Sequence, residues 1–431
     1  MSPKSIVPAT VRAARRAQAF TLTFLALVLV ACAQSPSSSP SQSTSKPGEL
    51  RNYNITLANL PPAEVQRGPF NPSKIVPRPD GAELSTPRGF AISVYAEGDL
   101  KRPRWLAQAP NGDVFVAESE GDQISILRDS NGDGRADERF VFASKLSRPF
   151  GMAFWRDYLY VGNTDAVVRF KYKAGQTKAE GAPEKIADLP MHGYREHWTR
   201  NLIFNADGSK LYVTVGSKSN VDAGEEPMRA AISEFNPDGT GHRIIASGTR
   251  NPIGLAWNPK TQQLWTAVQE RDLIGDDLVP DYVTGIKDGA FYGWPYAYVG
   301  PHEDPRRKAE RPDLVAKTIV PDVLIQAHSA VLGLVFYEGK MFPGEYSGDA
   351  FVALHGSWNR SRRTGYKIIR IRFKDGRPLG GYDDFITGWM LGEDKPEVWG
   401  RPVGLLVLKD GSMLISDDGA HKIWRVTYSN K

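Results

Sequence analysis

The sequence predicts an all-β chain closed as a six-bladed β-propeller of four-stranded blades. Three observations carry that prediction. A theme of apolar strand, Asn/Asp/Gly turn and second apolar strand recurs six times. Helical periodicity is nearly absent between the recurrences. The 41 glycines and 31 prolines supply the punctuation that many short strands need.

The elements follow in chain order. Residues 1–31 read as a lipoprotein signal peptide. Lys4, Arg12, Arg15 and Arg16 form its basic region, and Ala19 to Val30 its apolar region, too short to span a bilayer comfortably. Leu29-Val30-Ala31-Cys32 looks like a lipobox, with Cys32, the one cysteine of the chain, as the thiol to be acylated. Residues 32–48 are Ser/Pro/Gln-rich and read as a tether that holds the body off a membrane. Residues 49–88 form an N-terminal extension, and residues 89–431 the propeller. The expected location is the periplasmic side of a membrane, reached through a lipid anchor.

The six recurrences begin at Arg102 ("RPRWLAQAPNGDVFVAES"), Arg148 ("RPFGMAFWRDYLYVGN"), Thr199 ("TRNLIFNADGSKLYVTVG"), Arg250 ("RNPIGLAWNPKTQQLWTAV"), Ser329 ("SAVLGLVFYEG") and Arg401 ("RPVGLLVLKDGSMLISDD"). The turns "PNGD", "ADGS" and "KDGS" are hairpin signals. Units of this kind close radially, and the early strand "GFAISVYA" is expected to complete the final blade from the other end of the chain. A pair of β-sandwiches is the rival architecture. In a propeller the segments entering the innermost strands converge on one mouth of the channel. That gathers His197, Arg250, Asn251 and Arg401 around one pocket, although they lie far apart in sequence. Arg-Pro entries that merely fasten neighbouring blades are the alternative.

Charge excludes one partner class. Four of the 54 basic residues lie in the leader, leaving 50 against 49 acidic residues, so no nucleic-acid partner is indicated. There is no nucleophile elbow, phosphate loop or HExxH helix. A cationic mouth with a histidine suits a small polyanion and a proton transfer, because arginine's planar fork matches carboxylates and neutral histidine accepts a proton.

The stretches "HWTRNLIF", "GTRNPIGLAWNP", "AVQERDLIGDD" and "DGAFYGWPYAYVGP" resemble the pyrroloquinoline-quinone (PQQ)-dependent glucose/sorbosone dehydrogenases, above all the L-sorbosone dehydrogenase-like branch. The likeness runs from about Gly89 to Tyr428. It implies PQQ and Ca²⁺ as cofactors, a sugar, sugar aldehyde or polyol as substrate, and a respiratory electron acceptor. His197 would be the general base. Arg250, Asn251 and Arg401 would contact the quinone, with Asn201 beside them and Arg360 in place of a family lysine. Glu270 and Arg271 would offer Ca²⁺ their backbone carbonyls, with Asp272 close by.

Arg362 and Arg363 read as a solvated basic turn, and "YGWP" as loop packing. Asp276 and Asp277 either ligate a metal or hydrogen-bond their turn. Three positions depart from the distant relatives: Arg200-Asn201 replaces Gly-Arg, Ile253 replaces a glutamine, and the two carbonyl donors differ in side chain. Substrate choice is where such changes act.

A separate calcium signal is "DSNGDGRADERF". It sets Asp129, Asn131, Asp133 and Asp137 at EF-hand spacings, but Phe140 stands where the bidentate glutamate belongs. A structural ion and a plain Asp/Gly turn are both open. The competing functions are a calcium-dependent propeller hydrolase of the sugar-lactonase kind and a non-catalytic glycan- or protein-binding propeller.

Overall fold

Strands of period two with one buried face need a second surface to cover them, and here each sheet covers its neighbour. The computed structural model describes residues 46–47, 50–65, 69–191 and 197–429. Six sheets follow one another around the chain, antiparallel but for one parallel edge strand in blade three, and outer strands from the N-terminal side join blades five and six. Blade one holds Pro103–Gln108, Val114–Glu118, Gln123–Arg128 and Glu138–Ala143. Blade two starts at Met152–Trp155, blade three at Leu202–Phe204, blade four at Asn251–Trp257, blade five at Val331–Phe336 and blade six at Pro402–Val407. The innermost strands neighbour one another around a closed ring. Six blades are as the repeats predict. Blades three and five each carry a fifth edge strand, Ala290–Phe291 and Asn52–Tyr53.

Closure uses both halves of the chain. Phe90–Ala96 pairs antiparallel with Lys422–Tyr428 as the outermost strand of blade six. Gly89 makes the turn into that strand at φ +86°, where a Cβ would lie 2.5 Å from the Tyr428 ring.

Glycines on the innermost strands let adjacent blades touch through backbone. A Cβ at Gly254 would stand 2.5 Å from the Leu332 carbonyl oxygen of blade five. Gly151, Gly333 and Gly404 face the next blade's backbone in the same way. Blade three has Asn201 at that step. Its Nδ2 donates to the Ile253 carbonyl at 2.7 Å and its Oδ1 accepts the Leu202 N–H at 2.9 Å. In blades one, four, five and six the first hairpin slips register shortly after its entry, a bulge that re-aims the entry side chains toward the channel.

Residues 50–65 and 69–88 pack against the blades. Ile55, Leu57, Leu60 and Ala63 pack on a core shared by blades three and four. Lys74–Ile75 pairs parallel with Glu397–Val398, ahead of blade six. Pro312–Val315 is the one α-helical turn among the described residues. No helix among them is long and apolar enough to cross a membrane. The signal peptide, Cys32 and the tether fall outside the described residues, apart from the pairing of Lys46–Pro47 with Ser85–Thr86.

Candidate active site

His197, Arg250, Asn251 and Arg401, expected to gather, do line one cavity. Arg102, Arg148, His197, Arg250 and Arg401 line one cavity of about 480 Å³ at the mouth of the channel. Asn251, Glu270, Asp272 and Asp281 from blade four, His328 and His355 from blade five, and Arg104 and Asp418 from blades one and six complete its wall. Arg102 and Arg148 sit just before prolines at positive φ, 53° and 47°. Such residues are uncommon and cluster at functional sites.

His197 is buried, and its tautomer follows from its neighbours. Nδ1 lies 3.0 Å from the Ser217 carbonyl and 2.9 Å from Ser217 Oγ. That hydroxyl donates its own proton to the Ser219 carbonyl at 2.6 Å, so both Ser217 oxygens are acceptors toward the ring. Nδ1 therefore carries the hydrogen, and Nε2 carries the lone pair. Burial first, then the Arg250 guanidinium, pushes the imidazole well below its ordinary pKa and keeps it neutral. Gly216 makes room for this ring: a Cβ there would lie 2.8 Å from the His197 Cβ.

Arg250 organises the blade-four side. It donates to the Glu270 carbonyl at 2.7 Å, to Asp272 Oδ2 at 2.9 Å and to Asn220 Oδ1 at 2.9 Å. Burial alone would raise the Asp272 carboxyl, but Arg250 and then His328 outweigh it and hold it well below the carboxylate range. Burial pushes Glu270 up to about 8 and Asp281 up to about 6.

Across the mouth, His355 joins two charged groups. Its Nδ1 accepts from Arg401 Nη2 at 2.9 Å, so Nε2 carries the hydrogen and donates to Asp418 Oδ1 at 2.9 Å. Arg104 completes the group on the other Asp418 oxygen. Burial, then Arg401, pushes His355 down to about 3. The lone pair of His355 is committed to an arginine, which makes it a poor base and a good strut.

The other expected site residues divide. Arg360 lines a second cavity rather than the channel mouth. It pairs with Asp277 and donates to the Asp276 carbonyl, because its loop turns back over residues 276–277. Asp276 accepts from the Ser361 N–H, so these two acids serve the turn. Asn201 joins blades, as described above, and is absent from the cavity wall. Arg271 is buried behind the wall, 2.9 Å from Asp304. Arg363 is fully buried rather than a solvated basic residue, whereas Arg362 is exposed and bridges Glu393. "YGWP" packs as expected: Tyr292 and Trp294 are buried, and Trp294 donates to the Asn220 carbonyl.

Asp129, Asn131, Asp133 and Asp137 form an exposed hydrogen-bonded turn. Asp129 accepts the Gly132, Asp133 and Gly134 N–H groups, and Asp137 accepts from Ser130. No group of three or more His, Cys, Asp or Glu among the described residues could hold a metal.

The wall nonetheless fits the cofactors in its chemistry. Five arginines line it, and the guanidinium fork suits carboxylates, as the pairs of Arg102 with Glu120, Arg104 with Asp418 and Arg250 with Asp272 show. The buried polar side-chain atoms left without partners on the blade-four side include Asn251 Oδ1 and Glu270 Oε1. Oxygens of that kind are hard donors that suit a Ca²⁺ ion.

An uncharacterized protein of Borreliella burgdorferi is 28% identical over 355 residues, covering 80% of this chain and 91% of its own. The aldose sugar dehydrogenase YliI of Escherichia coli is 26% identical over 174 residues, 36% of this chain and 44% of its own. Among solved structures, the calcium structure of the Trichoderma reesei carbohydrate-active enzyme of family AA12 superposes with a TM-score of 0.70 at 18% identity, covering 83% of this chain and 98% of that one. The holo PQQ domain of Coprinopsis cinerea pyranose dehydrogenase gives 0.68 at 19%, covering 81% and 98%. The fold is thus shared with these two solved structures. Residues 307–429 match the TrAA12-like family, and residues 80–355 match the family described as Domain of unknown function (DUF7133), to which this chain belongs.

Proposed function

We propose that the protein is a PQQ-dependent oxidoreductase that oxidises a sugar, sugar aldehyde or related polyol, with His197 as general base. The observation that carries the reading is a neutral histidine, its hydrogen pinned on Nδ1 by Ser217, in the wall of an arginine-rich cavity. The relatives and the shared fold support the same chemistry.

When bound, the quinone supplies the two-electron acceptor. The protein's own groups supply the rest. Arg250, Arg401 and Asn251 would hold its carboxylates and ring edge. The orphaned oxygens of Asn251 and Glu270 would face the cation. His197 Nε2 takes the proton of the substrate hydroxyl, and Ser217 stabilises the imidazolium that results by accepting from Nδ1. His355 and Asp418 hold Arg401 and Arg104 in place. The sorbosone-like resemblance favours a sugar aldehyde within this substrate class. Residues 1–48 support export and a lipid anchor at Cys32, with electrons passing to a respiratory acceptor.

Reconstitution with PQQ and Ca²⁺, followed by dye reduction against a sugar panel, tests the reading. His197→Gln should lower kcat by about 10²–10⁴-fold while the bound-quinone spectrum persists. Full activity in that variant removes His197 from the mechanism. The absence of dye reduction with any sugar removes the dehydrogenase reading.

A further inference from the structure

Phe70 is 78% exposed and Trp358 is 37% exposed. Of the large apolar side chains exposed among the described residues, these two line the channel cavity. They meet edge to face, with ring centroids 6.0 Å apart at 68°.

Their position is built rather than incidental. The Asn71 N–H donates to the Trp358 carbonyl at 2.7 Å, and Asn71 Nδ2 donates to the Arg360 carbonyl at 2.9 Å. Buried Arg363 clamps the segment from beneath, donating to the Asn71 carbonyl at 3.0 Å, to Asn71 Oδ1 at 2.8 Å and to the Lys395 carbonyl at 2.9 Å. A fully buried guanidinium is thus used to hold an aromatic ring in water at the lip of a polar cavity. Exposed apolar surface placed that way marks a contact site.

We infer that Phe70 and Trp358 form a stacking platform for a second, non-reacting saccharide unit of the substrate. The inference rests on the saccharide reading of the cavity. Hydroxyl recognition belongs to the charged wall around His197 and Arg250. The wall's own aromatic ring, Trp198, is covered by Arg148 at 4.2 Å, whereas the lip adds electron-rich ring faces that attract the polarised C–H bonds on one face of a pyranose.

Calorimetric titration of the purified full chain with glucose, maltotriose and cellotriose provides the test. At least one trisaccharide should bind about tenfold more tightly than glucose. Phe70→Ala should lower the trisaccharide-to-glucose affinity ratio about tenfold, whereas Leu379→Ala, exposed elsewhere, should leave it unchanged. Because Phe70 is so exposed, its removal leaves the fold intact, which circular dichroism verifies. Trisaccharides binding no better than glucose, or an unchanged ratio in Phe70→Ala, overturns the platform. Dye reduction with sugars but no trisaccharide preference would sink the platform alone. A platform lost in Phe70→Ala, in a protein that reduces no dye, would sink the oxidoreductase reading alone.

Discussion

At the scale of single residues, the cavity separates His197 from His355 by the fate of their lone pairs. His197 keeps its hydrogen on Nδ1 and stays neutral, so base catalysis should persist below the ordinary histidine pKa. The acid limb of kcat/KM is expected at a pH below 6.5, and a limb at or above 6.5 in a pH–rate profile would contradict the assignment. His355 acts on stability instead. Its folded form stays neutral down to about 3, while the unfolded chain takes up a proton near 6.5. As pH falls between those values, the unfolded state binds more protons, so stability is lost. His355→Gln should flatten this acid slope by on the order of 3 kcal/mol between pH 6.5 and 4, read from denaturation midpoints. His197, Arg250, Asn251 and Arg401 were legible because each stands at a blade entry. His328 and His355 were not, because blade five enters through "AHSAVLG" without the Arg-Pro mark. The histidines on both sides of its first hairpin were the signal available. Arg360 misled because a basic turn carries no record of which carboxylates it folds back upon.

At the scale of elements, the ring depends on how closely blades approach one another. The glycine entries were readable as places of tight packing, but the partner of each was not, since it comes from a blade some fifty or more residues away. Asn201 shows what sequence conceals. The family resemblance set it beside the cofactor, whereas its amide bridges two blades through buried groups. Asn201→Ala leaves the Ile253 carbonyl and the Leu202 N–H without that partner. It should destabilise the protein by about 1–3 kcal/mol with little change in quinone affinity. Denaturant unfolding and quinone titration check the two halves separately. A large loss of quinone affinity at unchanged stability would return Asn201 to the cofactor site.

At the scale of the whole molecule, the fold was legible almost in full, including the strand that joins blade six from the N-terminal side. The repeat made this possible, because six copies of one pattern average out the ambiguity of any single strand. The path of residues 50–88 was not legible, since short strands and proline-rich runs carry no period. A chain beginning at residue 89 should still close its ring and remain monodisperse, with a lowered Tm. One beginning at residue 97 exposes the Lys422–Tyr428 edge and should aggregate on size exclusion. A soluble, folded chain from residue 97 would show that closure is dispensable.

That same closing pair sets a schedule. The ribosome releases Phe90–Ala96 long before it reaches Lys422–Tyr428, and at 5–20 residues per second the interval is roughly 20–60 s. Throughout that time the first blades exist with an apolar strand waiting for its mate. However early the first blades form, the ring cannot close until Lys422–Tyr428 has been made.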